Sequence, residues 1–403
     1  MKTLVINTGS SSIKYQLLSM PEGAILCSGL LERIGEEKGR IIHKTAEGDN
    51  EKEYIFDESI PDHEFGMKEV ASLLSDDKIG VIKEVGEVEL VGHRIVHGGD
   101  RFHSITLIND EVKEAIKELS NLAPLHNPAN LVGINTAEKV FPHAIQVGVF
   151  DTAFHQSIPE TAYRYALPEK FYKENGIRAY GFHGTSHRYV SRMASEFLNK
   201  NLEDTSLITL HLGNGASACA VKNGKSIDTS LGMTTITGLV MGTRIGDIDP
   251  GVLIYMQEIL GLKYEDVKRI LTKESGLLGL CGDNDLRNIV ARYELGDEQA
   301  ILALSIYAYR IKKYIGAYIA AIGKVDAIVF TAGVGENSAL IRDLATRNLE
   351  HLGILIDPLK NERKSKERRD ISSLDSSIKT LVIPTNEEYE IARQAYALVN
   401  EIA

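Results

Sequence analysis

Two strand-then-turn units of similar design, placed about half the chain apart, constrain the fold more than any other feature. Residues 3–14 read Thr-Leu-Val-Ile-Asn-Thr-Gly-Ser-Ser-Ser-Ile-Lys, and residues 207–217 read Leu-Ile-Thr-Leu-His-Leu-Gly-Asn-Gly-Ala-Ser. In each, a short apolar run rich in β-branched residues feeds a turn of Gly, Ser and Asn, whose small side chains let backbone N–H groups approach an anion. Each therefore reads as a phosphate grip, with an ordinary hairpin turn as the alternative for either one alone. Dinucleotide folds and P-loop proteins run from such a turn directly into a helix. Here residues 13–18 and 218–222 read instead as second strands, closed by turns at 21–23 and 223–224, so both units are expected to be β-hairpins. The P-loop pattern G-x-x-x-x-G-K-[ST] is absent.

A chain of 403 residues exceeds one typical core, so two domains are expected. The net charge of −11 argues against general nucleic-acid binding and against attachment to an anionic membrane, while permitting a local basic pocket for phosphates. Cys27, Cys219 and Cys281 show neither ligand spacing nor a disulfide framework, which fits a reducing cytosol. The apolar run at 4–6 is too short for a signal peptide, and a cytoplasmic protein is expected. The long apolar stretch 300–322 carries Arg310, Lys312 and Lys313 at its centre and reads as a buried or interfacial helix, not as a membrane span. The basic run 360–369 is interrupted by Glu362 and Glu367 and reads as a solvated face.

Along the chain, strands alternate with helices as an α/β architecture requires. Asn109 is placed to cap a helix over 110–120 with an acidic first turn. Val190, Met193, Ala194, Phe197 and Leu198 give the segment after His187 one apolar face. Apolar strands recur at 144–150, 327–331 and 379–385, and each runs into a polar or Gly-rich segment, where ligands of open α/β folds gather.

Those ends hold the inventory for phosphoryl transfer, which needs arginines, backbone amides and a carboxylate-held metal ion. Arg94 lies in a His-Arg-Ile-Val-His-Gly-Gly segment, Arg244 in Gly-Thr-Arg-Ile-Gly-Asp, and His183 in Gly-Phe-His-Gly-Thr-Ser-His. Asp151, Glu387 and Asn7 are candidate magnesium ligands, directly or through water. Each has another reading: Arg244 as a partner of Asp247, Asp151 as a structural cap, Glu387 and Glu388 as helix-start acids, and His183 with His187 as loop-packing or zinc-binding histidines.

In combination, the segments 7–14, 93–99, 124–128, 150–155, 180–187, 211–217, 330–338 and 385–388 resemble the acetate kinase family, within the acetate and sugar kinase, heat-shock chaperone and actin superfamily. The resemblance runs almost end to end. It implies duplicated ribonuclease H-like domains with a nucleotide cleft between them: an N-terminal one over 1–150, completed by a C-terminal helix 387–403, and a nucleotide-binding one over 151–386. It implies that Asn7, Ser10, Ser12 and Lys14 form the first phosphate motif. His211, Leu212, Gly213, Asn214 and Gly215 would form the second, along the nucleotide's phosphates. Asp285, Leu286 and Arg287 match an adenosine-side segment, and Gly333, Val334, Gly335, Glu336 and Asn337 a glycine loop. Arg94, His183 and Arg244 match groups stabilising the planar phosphoryl, with Asp151 catalytic near acetate and magnesium, and Asn7 and Glu387 metal-linked.

The implied activity is direct in-line transfer from ATP to acetate, requiring Mg2+, for which Mn2+ can substitute, in a homodimer. Arg94, Val96, Leu125 and Phe182 would bind acetate, its methyl lying among the last three and, in the family, a proline. Thr235 stands where the family has proline, and Thr237 and Ile245 replace its usual Glu and small residue, so the preference between acetate and propionate stays open. A non-acyl ATPase on the same scaffold is the alternative of a different class.

Overall fold

The computed structural model describes residues 1–47, 50–124 and 126–402. Leu125, expected at the acetate methyl, lies outside the described residues. The chain divides into two units, one of Met1–Ala153 with Asn386–Ala403 and one of Phe154–Thr385. The boundary falls after Ala153, three residues beyond the expected position, so Asp151 belongs to the same unit as Arg94.

The first unit is built on β1 (Lys2–Thr8), β2 (Ser12–Ser19), β3 (Ala24–Glu32), β4 (Arg40–Glu47), β5 (Asn50–Phe56), β6 (Leu90–Ile95), β7 (Thr106–Leu107) and β8 (Ile145–Phe150). They form one sheet in the order β5-β4-β3-β2-β1-β6-β8-β7. The strands from β1 to β5 pair antiparallel in a meander, whereas β1, β6 and β8 run parallel. The near-continuous apolar character of β1 follows from burial of both its faces. Leu4 and Ile6 join a core with Met67 and Val70 of helix His63–Leu74. Val5 points the other way, against Ile391 and Ala392 of helix Glu387–Ile402. That helix lies so close to β6 that a Cβ on Gly92 would stand 2.7 Å from Ile391 Cγ2. Asn109 caps helix Asp110–Glu118 by accepting from Val112 N at 2.9 Å.

The second unit repeats the pattern with β9 (Leu207–Leu212), β10 (Ala216–Lys222), β11 (Lys225–Thr229), β12 (Ala327–Thr331), β13 (Arg369–Asp370) and β14 (Lys379–Val382), ordered β11-β10-β9-β12-β14-β13. Here three antiparallel strands, in place of the five of the first unit, are followed by two that run parallel to the first. The duplicated hairpins are thus the first two strands of two ribonuclease H-like sheets. Between β10 and β11, Asn223 and Gly224 both take positive φ, 51° and 72°, the geometry of a two-residue turn matched to sheet twist. One sheet face packs on Val190, Met193 and Ala194 of helix Gly184–Phe197. That helix begins before His187, so this histidine sits inside its first turn. Helix Glu298–Ile322 packs against β9 and β10, burying Leu304, Tyr307, Ile311 and Ile315. Among the described residues no helix is long and apolar enough to cross a membrane.

Candidate active site

In the first unit, parallel pairing sets Ile95 beside Phe150, so β6 and β8 end together. Arg94 reaches from the one to Asp151 just past the other: Nε donates to Oδ1 at 3.1 Å and Nη2 to Oδ2 at 2.8 Å. Asp151 is 2% exposed. Burial works against the Arg94 charge, but Asp151 and then Glu387 more than offset it, holding the guanidinium above its usual range. Glu387 Oε1 lies 3.8 Å from Arg94 Nη2. That oxygen is buried without a hydrogen-bond partner. Burial raises the Glu387 pKa, partly countered by Arg94.

Lys14 and Ser12 lie on β2, with Lys14 opposite Asn7 on β1, and Lys14 pairs with Glu388. Ser10 is exposed on the turn between the strands. Asn130, which was not singled out from sequence, ties the ends of β1 and β6: its Oδ1 accepts from Val96 N at 3.1 Å and its Nδ2 donates to Thr8 O at 2.9 Å. Asn127 treats His97 similarly through N and O. The Asn at 127, inside the resembling segment 124–128, was the available signal; Asn130 lies beyond it on the same helix.

In the second unit, the turn after β9 is closed by Gly213 N donating to Gly215 O at 3.0 Å. A Cβ on Gly215 would stand 3.7 Å from Arg244 Nη1 and from both Cε1 and Nε2 of His183, so both side chains converge on this turn. His183 holds a left-handed backbone (φ 56°) at the N-cap of its helix, strain of about 1–2 kcal/mol for a non-glycine residue. Its ring stacks on His211 with centroids 4.3 Å apart. Arg244 donates to Thr235 O at 3.1 Å and lies 3.8 Å from Met241 Sδ. Among the described residues no carboxylate pairs with it, Asp247 included, and burial lowers its pKa. A buried cation without an acidic partner is a ready anion receptor.

The same turn borders a cavity of about 900 Å³ lined entirely from the second unit. Gly213, Asn214, Asp285, Leu286 and Arg287 line it, as do Gly333, Val334 and Asn337. Two members of the expected glycine loop do not: Gly335 is packed on Phe330 and the Leu210 carbonyl, and Glu336 Oε1 accepts from Thr385 N at 3.1 Å. Leu212 points into the core. Arg287 chelates Asp285, with Nη2 to Oδ2 at 2.6 Å. Leu286, Val290 and Glu294 add one helix face at four-residue spacing, and Tyr307 closes a wall. The periodicity after Asp285 was the unused signal.

The unusual loop has internal work. Thr235 supplies through its backbone the acceptor for Arg244, which a proline carbonyl would supply equally. Thr237 Oγ1 accepts from Gly232 N at 3.0 Å, and Ile245 N donates to Leu271 O at 3.2 Å. Phe182 is buried, and Val96 is half-buried in the other unit. His187 is engaged by Ser217 and Thr209 on either ring nitrogen, which removes it as a zinc ligand.

Comparison with known proteins agrees over the whole length. The family model described as the acetokinase family matches residues 2–393. An acetate kinase of Flavobacterium johnsoniae is 53% identical over 99% of this chain and 100% of its own. An acetate kinase of Thermotoga petrophila is 52% identical, with both chains covered completely. Among solved structures, Porphyromonas gingivalis acetate kinase superposes with a TM-score of 0.94 at 46% identity, covering 99% of each chain. A propionate kinase from Francisella tularensis gives 0.91 at 39%, covering 98% of this chain and 99% of that one.

Proposed function

The chain belongs to the acetokinase family, and from that membership we propose that it is an acetate kinase, transferring the γ-phosphoryl of ATP reversibly to acetate to give acetyl phosphate and ADP. The observation that carries the reading is the turn 213–215, with the 900 Å³ cavity on one side and the uncompensated Arg244 with His183 on the other. A cavity of that size accommodates a nucleotide. Arg244 beside it neutralises charge on a phosphoryl group in transit, and His183 offers that group a hydrogen bond.

Transfer is direct and in line. An acetate carboxylate oxygen forms the new P–O bond as the bond to the β-phosphate bridging oxygen breaks, and ADP leaves with that electron pair. The carboxylate is already a nucleophile at neutral pH, so no general base is required; what it lacks is relief from repulsion by the polyphosphate. Arg94, His183 and Arg244 supply that relief, while Asp151 fixes the plane of Arg94. Val96 and Phe182 are assigned to the methyl group.

Glu387 and Asn7 are assigned to Mg2+, with Mn2+ able to replace it. Glu387 Oε1, buried without a hydrogen-bond partner, fits such a ligand. Among the described residues no group of three acidic, His or Cys side chains could hold an ion. Mg2+ keeps several waters and takes one or two carboxylates plus substrate phosphates, so Glu387 with Asn7 is a sufficient protein donor set for it. When bound it would neutralise charge on the polyphosphate. The proposal extends to a cytoplasmic homodimer; Ile254, Tyr255, Ile259, Leu260 and Tyr264 are exposed apolar side chains close together in sequence and available for a subunit contact.

Trapping the product as a hydroxamate tests the reading. We expect kcat/KM in the order acetate, propionate, butyrate, with propionate close behind, since one methylene is worth only about 1–3 kcal/mol. Propionate above acetate would reverse the preference. ATP loss independent of added carboxylate would favour the non-acyl ATPase.

A further inference from the structure

Behind His183 runs a chain of buried hydroxyls and imidazoles that the transfer mechanism does not use. Ser217 Oγ lies 2.9 Å from His183 Nδ1 and 2.7 Å from His187 Nε2, and His187 Nδ1 lies 2.7 Å from Thr209 Oγ1. His187, Ser217 and Thr209 are all fully buried. Pairing of β9 and β10 brings Ser217 level with His211 and places Thr209 one inward-facing step back along the same strand, so both hydroxyls meet helix Gly184–Phe197.

One hydroxyl between two ring nitrogens couples them. Ser217 has a single hydrogen and, among the described residues, no side-chain partner besides these two nitrogens; if both donated to it, its own buried proton would have no acceptor, so it donates to one nitrogen and accepts an N–H from the other. His187 is neutral, because burial and then the neighbouring His155 and His211 push its pKa well below the ordinary value. It therefore carries one N–H, and only two ordered chains remain. In the first, Thr209 O–H donates to His187 Nδ1, His187 Nε2–H to Ser217 Oγ, and Ser217 O–H to His183 Nδ1. In the second every bond is reversed, and the Thr209 proton is left to the thiol of Cys219, its β-sheet neighbour and a weak acceptor. Imidazole nitrogen is the stronger acceptor, which favours the first chain. The second would also favour a cationic His183 beside Arg244 at the same turn, with His211 stacked on its ring.

From this geometry we infer that Ser217, His187 and Thr209 are positioning residues that hold His183 as the neutral tautomer with its proton on Nε2, the nitrogen turned toward the phosphate turn at Gly215. His183 then offers a directed hydrogen bond while Arg244 supplies charge. The role of that N–H toward a phosphoryl oxygen rests on the acetate kinase reading; the tautomer itself does not.

The test uses full-length protein labelled with 15N in its histidine rings, with His183 assigned through His183→Gln. Long-range proton–nitrogen correlation at neutral pH without substrate should show His183 Nε2 protonated and Nδ1 bare. A proton on Nδ1, or an imidazolium, overturns the inference. Ser217→Ala should average the two His183 nitrogen shifts and lower kcat about tenfold, the scale of one orienting hydrogen bond, with KM for ATP moving less than about threefold. Unchanged kcat in that variant refutes the positioning role. If Ser217→Ala does not fold, the spectrum of the unaltered protein still decides. Failure of the parent to make acyl phosphate would remove the acetate kinase reading and leave the spectroscopic result standing.

Discussion

Arg94 and Asp151 form a two-point ion pair at the ends of adjacent parallel strands, with both guanidinium–carboxylate contacts at or below 3.1 Å and the carboxylate almost wholly buried. From sequence the two had separate tasks, one at the phosphoryl group and one near acetate and magnesium. Their pairing makes Asp151 the residue that aims Arg94. Breaking a buried pair leaves the remaining charge uncompensated, at about 3–5 kcal/mol. Arg94→Ala should therefore lose about that much stability in urea titrations and at least about 10³ in kcat. Near-normal turnover would remove Arg94 from the reaction, and unchanged stability would contradict the buried pair.

Arg244 behaves differently because it has no carboxylate partner among the described residues and its burial disfavours the charge. Arg244→Ala should lower kcat by about 10³–10⁵ while leaving the urea midpoint unchanged or slightly higher. The contrast between the two arginines separates a cation held by the fold from one that waits for an anion. A stability loss matching that of Arg94→Ala would show that Arg244 has a structural partner.

The duplicated hairpins were legible because a strand buried on both faces and a Gly-Ser-Asn turn are local signals, carried by Leu4, Val5 and Ile6 and by residues 213–215. Asn109 and the Asn223-Gly224 turn were readable for the same reason. What pairs with what was not: the Arg94–Asp151 contact depends on strand register across 57 residues, and the Arg244–Thr235 contact on a loop with no periodicity. Glu336 looked like part of the glycine loop, yet its side chain serves the Thr385 backbone, which only the tertiary fold reveals.

Arg342 illustrates a support invisible to motif reading. It is 1% exposed and has no carboxylate partner among the described residues. Its donors serve Gly335 O at 2.9 Å, Glu336 O at 3.0 Å, Asn361 Oδ1 at 2.7 Å and Asn361 O at 2.7 Å. Burial pulls its pKa down to about 10. Arg342→Met fills similar volume but orphans these acceptors, so we expect a loss of about 3 kcal/mol. Because the loop it pins borders the 900 Å³ cavity proposed to hold the nucleotide, KM for ATP should rise more than kcat falls. The reverse split would show that the loop does not position nucleotide.

Glu387 carries a prediction with a definite sign. Burial raises its pKa, so the folded protein binds a proton more readily there than the unfolded chain, whose glutamate titrates near about 4.3. Below that value both states are protonated and the site costs nothing. As pH rises through it, the unfolded state ionises first and the fold loses stability. Glu387→Gln should thus raise Tm of the metal-free protein at pH 7.5, and the difference should vanish as pH falls toward 4. The same variant should lose the stabilisation that Mg2+ with ATP gives the parent, and most of its turnover. A gain in Tm that persisted unchanged at pH 4 would mean that Gln acts through packing. A loss at pH 7.5 would mean that the carboxylate's attraction to Arg94, 3.8 Å away, outweighs its desolvation.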